Sequence, residues 1–171
     1  MCETKTILLA EDDPHDVELV EREFKQAPAG INLQVARDGV EAMHYVAGEE
    51  KYADRAKHPL PDVILLDIKM PRMDGFDFLL WLRSRAPTQQ QWIPVVIMSS
   101  SGLPEDVEHA YLLGANSYII KPVNWHVFRE RIKALGIHWA AQGEAPQNSR
   151  NSLESWERSE RERTRAHELA W

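Results

Sequence analysis

The sequence predicts an α/β fold built on a parallel five-stranded sheet with helices on both faces. Two observations carry this. Short apolar runs alternate with segments of helical periodicity along most of the chain, which is the pattern of strand–helix–strand crossovers. Two of the runs, Val63–Leu66 and Val95–Met98, are continuously apolar, as strands buried on both faces are.

The elements follow in order. Thr6–Ala10 (TILLA) is strand 1. After EDDPHD, Pro14 suits the first turn of a helix running to about Gln26, with Val17, Val20 and Phe24 at helical spacing. Ile31–Arg37 alternates apolar and polar residues, as a half-buried or edge strand does. Gly39 opens a second helix with Val40, Met43 and Val46 on one face, and KYADRAKHPLP is a polar connection. DVILLD is strand 3, and GFDFLLWLRSR is a helix with Phe76, Leu79, Leu80 and Leu82 toward the core. IPVVIMS is strand 4. The next helix starts at Pro104 and stops at Gly114. SYII is strand 5, and a last helix is capped by Asn124. Connections of this kind are right-handed.

Composition limits the functions. The 171 residues suffice for one domain with a modest extension. A net charge of −7 argues against nucleic acid as partner, since phosphate binding needs clustered Lys and Arg. The single cysteine, Cys2, fits a reducing cytosol. No signal peptide precedes the first strand, and no apolar run approaches the roughly 20 residues that span a bilayer. The expected location is cytoplasmic, without membrane contact.

Chemistry in such sheets gathers beyond the strand C-termini. There the sequence places Glu11-Asp12-Asp13, Asp67, Ser99-Ser100-Ser101 and Lys121-Pro122. If strands 1 and 3 are neighbours, their carboxylates converge. A hard divalent cation such as Mg²⁺ is the simplest compensation. With a lysine and a hydroxyl alongside, such a pocket suits phosphoryl transfer to a carboxylate nucleophile. Each feature also has a plain structural explanation: the acidic triplet as a helix cap with favourable dipole charge, Asp67 as a cap, the serines as a loop, Lys-Pro as a turn.

On LLAEDD, LLDIKMPRMDG, VVIMSSS and GANSYIIKP, the chain resembles the receiver domain of two-component response regulators, over about Lys5 to Ala134. The resemblance implies the flavodoxin-like (βα)5 fold with strand order 2-1-3-4-5. It implies Asp67 as phosphoacceptor and Asp12, Asp67 and the Lys69 backbone carbonyl as Mg²⁺ ligands, with Glu11 acting through water. It further implies Ser99 as switch hydroxyl, Tyr118 as the coupled aromatic, Lys121 as the phosphoryl-binding lysine, and a cis Lys121–Pro122 bond. Pro71 and Gly75 shape the loop after Asp67. Phosphorylation then biases a bistable element, the surface of helix 4, strand 5 and helix 5. Two departures stand out. Ser99 occupies a position where threonine is commoner, and Lys69 puts a long cation at the pocket rim, where it is expected to alter water access to the phosphoryl group.

Residues 1–139 are read as this receiver with an extended last helix. Residues 140–171 are read as a polar, charged tail, either disordered or a solvated helix held by pairs such as Glu154-Arg158. RERIKALGIHWA and GANSYIIKPV also resemble the single-domain regulators of bacterial phytochromes. That implies a light-sensing histidine kinase as phosphodonor, an unknown downstream protein, and a homodimer through helix 4, strand 5, helix 5 and the C-terminal extension. Ile132, Leu135, Ile137 and Trp139 are then interface candidates; completing the receiver's own core is the alternative. The expected role is a stand-alone phospho-switch or a phosphorelay intermediate rather than a turnover enzyme, though one that speeds its own phosphorylation from small donors and its own dephosphorylation. A haloacid-dehalogenase-type phosphatase needs an aspartate two residues after the nucleophile, where Lys69 stands. A flavin carrier needs a phosphate loop where Glu11-Asp12-Asp13 stands, and no G-x-G-x-x-G follows a strand. A DNA-binding factor lacks both the domain and the charge.

Overall fold

The computed structural model describes residues 4–25 and 30–121. Within them β1 (Lys5–Ala10), α1 (Pro14–Lys25), β2 (Ile31–Ala36), α2 (Gly39–Ala47), β3 (Val63–Leu66), α3 (Gly75–Ser84), β4 (Val95–Ser99), α4 (Pro104–Leu112) and β5 (Ser117–Ile120) follow one another. The strands form one parallel sheet, order β2-β1-β3-β4-β5. This is the flavodoxin-like receiver order. The last helix with Asn124, the Lys121–Pro122 bond, the interface candidates Ile132, Leu135, Ile137 and Trp139, the tail from residue 140, and Cys2 lie outside the described residues.

Side-chain alternation splits the core into two layers. Leu8, Ala10, Ile64, Leu66, Val95 and Ile97 face α2, α3 and α4, packing with Tyr45, Phe78, Leu79, Leu82 and Ala110. Ile7, Leu9, Val63, Leu65, Val96, Met98 and Ile119 face the other way, onto Val17, Val20 and Phe24 of α1. β2 is an edge strand and only half-buried over Ile31–Val35, as its alternating sequence implied.

Two helix faces differ from the sequence expectation. In α3, Phe78 is fully buried and Leu80 is 52% exposed, so the inward stripe is Phe78, Leu79, Leu82 and then Ala86. With the helix starting at Gly75, Leu80 falls off the i, i+4, i+8 row that Phe78, Leu82 and Ala86 define. In α2 the buried set is Ala42, Tyr45 and Val46, rotated from Val40 and Met43 because the bulky Tyr45 takes the core position. Its hydroxyl donates to Pro59 O at 2.8 Å.

Two arginines fix loops at the opposite end from the strand C-termini and along α2. Arg83 donates to Gly114 O, Gln91 O, Ile93 O and Asn116 Oδ1 at 2.7–3.0 Å, tying α3 to the entries of β4 and β5. Burial pulls its pKa down to about 10. Arg55, in the polar connection, donates to the carbonyls of Tyr45 and Val46 that end α2.

Gly75 is the tightest packing point near the strand ends. A Cβ there would lie 2.3 Å from Asp67 O and 2.9 Å from Ile68 Cα, both backbone atoms that no rotamer change can move. Gly75→Ala is therefore expected to lose about 1–3 kcal/mol in urea unfolding, and to displace Asp67 as it does so. An unchanged urea midpoint would show that the β3–α3 loop yields freely.

Candidate functional site

Three residues just past the strands keep the sheet's hydrogen bonding for one more step. Glu11 N donates to Ala36 O (3.0 Å), Asp67 N to Ala10 O (2.9 Å) and Lys121 N to Ser99 O (2.7 Å). Their backbones are therefore held in register, and alternation sends all three side chains to the α1 side, in step with Ile7 and Leu9, Val63 and Leu65, and Ile119. Ser99 falls in step with Val95 and Ile97 on the opposite side, and Tyr118 packs on that same layer.

The convergence on the α1 side is close. Lys121 Nζ lies 2.6 Å from Glu11 Oε2, 2.8 Å from Asp16 Oδ2 and 3.1 Å from Asp67 Oδ1. The other Asp67 oxygen accepts from Lys69 N at 2.9 Å. Glu11, Asp12 and Asp67 each offer a carboxylate oxygen within 4.8 Å of the others. Glu11 and Asp67 are buried, while Asp12 is exposed. Such a donor set, all oxygen and open on one side, fits a hard divalent cation that keeps several waters.

The turn and cap at the starts of α1 and α3 fall to Asp13 and Asp74. Asp13 is a turn residue: its Oδ1 accepts from His15 N at 2.8 Å, and its carbonyl accepts from Val17 N. Asp74, not Asp67, caps α3, accepting from Asp77 N at 2.8 Å. Glu11 Oε1 and Asp67 Oδ2 likewise accept from the backbone N–H two residues on, Asp13 N at 3.2 Å and Lys69 N at 2.9 Å, but each turns its other oxygen to Lys121.

Electrostatics follow from burial and from an excess of acid. Burial pushes the Glu11 carboxyl up to about 7, against the pull of Lys121. Burial likewise raises Asp67, again opposed by Lys121. For Lys121, burial disfavours the charge, but Glu11, Asp67 and Asp16 more than offset this and hold it protonated. The carboxylates outnumber the lysine, so the pocket attracts cations.

Ser99 is buried and its Oγ accepts from Ser101 N at 3.1 Å. The Tyr118 hydroxyl donates to Ser101 O at 2.9 Å, which links strand 5 to the β4–α4 loop that Ser99 begins. The loop after Asp67 is held from the other flank. Arg72 sits in the left-handed region (φ 64°), and its guanidinium pairs with the buried Asp38, Nε to Oδ2 being 2.8 Å. Asp38 also caps α2 by accepting from Glu41 N. Lys69 is exposed, with its backbone N–H on Asp67. Sequence reasoning missed Asp16, Asp38 and Arg72. The strand period pointing Lys121 at α1 was the available signal for Asp16.

The profile of the response regulator receiver domain matches residues 7–133. The chain belongs to the response regulator receiver family. This receiver is 30% identical over 135 residues to the response regulator Rcp1 of Synechocystis sp., covering 79% of this chain and 88% of that protein. A solved Mn²⁺-bound form of Rcp1 matches with a TM-score of 0.73 at 30% identity, over 81% of this chain and 96% of its own. The phosphorylated cyanobacterial phytochrome response regulator RcpA matches with a TM-score of 0.76 at 32% identity, over 84% of this receiver and 99% of that chain. The bacteriophytochrome response regulator RtBRR matches at 0.64 and 38%, over 91% and 92%. Among the described residues of this receiver, no helix is long and apolar enough to cross a membrane.

Proposed function

We propose that this receiver is a stand-alone phospho-switch that accepts a phosphoryl group on Asp67 from a sensor histidine kinase of the phytochrome class. The observation that carries the reading is the meeting of Asp67 with Glu11, Asp12 and Lys121 at the C-terminal end of the sheet. The kinase class is supported by the phytochrome regulators among its relatives.

In the transfer, an Asp67 carboxylate oxygen attacks phosphorus. The new O–P bond forms as the donor's bond to phosphorus breaks, and the leaving group keeps that electron pair. Asp12, Asp67 and the Lys69 carbonyl, with Glu11 beside them, would hold Mg²⁺, which would supply charge compensation for the phosphoryl oxygens. The chain's own residues do the rest. Lys121 turns from Asp67 Oδ1 to a phosphoryl oxygen, and Lys69 N continues to orient the other carboxylate oxygen. The Ser99 hydroxyl moves to the phosphoryl group, and Tyr118, tethered at Ser101, responds. The output is protein–protein contact on the α4–β5 side, with Ile132, Leu135, Ile137 and Trp139 serving a homodimer. Residues 1–139 act as receiver and 140–171 as a charged extension. The protein works in the cytoplasm and serves signalling rather than turnover.

The test is the intact mass after incubation with acetyl phosphate. A gain of one phosphoryl group, about 80 Da, is expected with Mg²⁺ and not with EDTA. Peptide mapping should place it on the segment from Val63 to Gly75. A folded protein that gains nothing under either condition would overturn the reading.

A further inference from the structure

We propose that Asp16 is a positioning residue for Lys121, anchoring its ammonium from α1 so that the remaining N–H faces Asp67; this rests on the phosphoryl-transfer reading above. An ammonium has three N–H donors. Here its three partners are Glu11, Asp16 and Asp67, at 2.6, 2.8 and 3.1 Å. The Asp67 contact is the longest and faces the site of transfer, so it is the one a phosphoryl oxygen replaces. The other two hold the lysine in place while that happens.

Asp16 differs from Glu11 in what else claims it. Glu11 belongs to the carboxylate cluster that suits a divalent cation, and Asp16 does not. A cation drawing on Glu11 and Asp67 weakens both as partners of Lys121. Asp16, outside that cluster, remains a partner for the lysine. Its side chain is 13% exposed and that of Lys121 12%, so water competes little for the pair. The backbone of Lys121 is itself pinned to Ser99. A flexible four-carbon stem thus has a fixed root and a fixed anchor near its tip, which is how a mobile lysine becomes a preorganised donor.

The plainer role for Asp16 is favourable charge in the first turn of α1. That role makes no use of Lys121, and this separates the two experimentally. Full-length wild type, Asp16→Ala and Asp16→Glu are compared by phosphoryl uptake from acetyl phosphate at saturating Mg²⁺. Asp16→Ala is expected to slow uptake about tenfold, less than the hundredfold or more typical of deleting a direct donor. Asp16→Glu should recover part of the rate. Mg²⁺ affinity by calorimetry should stay within about twofold, since Asp16 is placed outside the cation's ligands. An unchanged rate in Asp16→Ala overturns the proposal. A faster rate also overturns it, because Asp16 would then act only by repelling the anionic donor.

A second readout does not depend on phosphorylation. Low-temperature ¹H–¹⁵N spectra of lysine ammonium groups should show a slowly exchanging signal in the wild type that Lys121→Met removes. Asp16→Ala should lose it and Asp16→Glu keep it. If the signal persists in Asp16→Ala, Asp16 does not hold Lys121. If the wild type shows this pattern yet takes up no phosphoryl group, the phosphoryl-transfer reading fails while the anchoring stands.

Discussion

Asp67→Asn takes up no phosphoryl group from acetyl phosphate, and in EDTA at pH 7 it unfolds at a higher temperature than the wild type. The first half follows from chemistry: a carboxamide oxygen is too weak a nucleophile for the transfer. The second half follows from burial. Asp67 is 5% exposed, and burial raises its carboxyl above the ordinary range even with Lys121 beside it. A carboxyl whose folded pKa is raised binds its proton more tightly folded than unfolded. Stability is then greatest at low pH and declines as pH rises from the unfolded value through the raised one. At pH 7 the ionised group is a net cost to the metal-free fold. Asparagine removes that cost, keeps the shape, and still accepts from Lys69 N. Lys121 retains Glu11 and Asp16. Mg²⁺ should reverse the ranking, because only the wild type offers it the Asp67 carboxylate. Thermal unfolding in EDTA and in Mg²⁺, beside the intact-mass assay, checks both halves. Uptake by Asp67→Asn would put the acceptor elsewhere. A lower unfolding temperature in EDTA would mean the Lys121 attraction outweighs burial.

The strands and the site were legible in the sequence for one reason. A strand buried on both faces shows as an unbroken apolar run, so the first polar residue after it marks the sheet's mouth. Val63–Leu66 ending at Asp67, and Val95–Met98 ending at Ser99, are such cases. The period of two also divides the site: Glu11, Asp67 and Lys121 on the α1 side, Ser99 and Tyr118 on the other. What the sequence hid was helix rotation and long-range pairing. Phe76 to Leu82 is so rich in apolar residues that the choice between Phe78 and Leu80 depends on where Gly75 presses against Asp67, which no local pattern records. Asp16 looks like a helix-start charge until Lys121, 105 positions later, is brought to it. Arg83 looks like a surface residue of α3, yet its guanidinium is spent on the carbonyls of two loops. Asp38 and Arg72, 34 positions apart, meet only because β1 lies between β2 and β3 in the sheet, which brings the loops after β2 and β3 to the same end.

Lys121→Met is expected to damage both stability and uptake, and the two losses respond oppositely to conditions. Methionine preserves most of the apolar stem, so packing alone predicts a small effect. Removing the cation leaves Glu11, Asp16 and Asp67 facing one another without it. Breaking a buried pair at one partner costs about 3–5 kcal/mol because the stranded charge stays buried. In EDTA at pH 7 the variant should lose an amount of that order in urea unfolding. The loss should shrink as pH falls. Glu11 already has its carboxyl raised to about 7 by burial with Lys121 opposing; without that opposition it rises further. Between the ordinary carboxylate value and this raised one the folded state holds a proton that the unfolded state has released, so stability declines as pH rises through that window and levels off above it. Mg²⁺ should recover part of the stability by supplying the missing positive charge to Glu11, Asp12 and Asp67. It should not recover uptake, because the donor that meets the phosphoryl oxygen is gone; a fall of about 10²–10³-fold is expected. Urea titrations at pH 5, 6, 7 and 8, in EDTA and in Mg²⁺, separate these terms. A loss that is equal at every pH would assign Lys121 to packing rather than charge. Full uptake in the variant would remove it from the transfer.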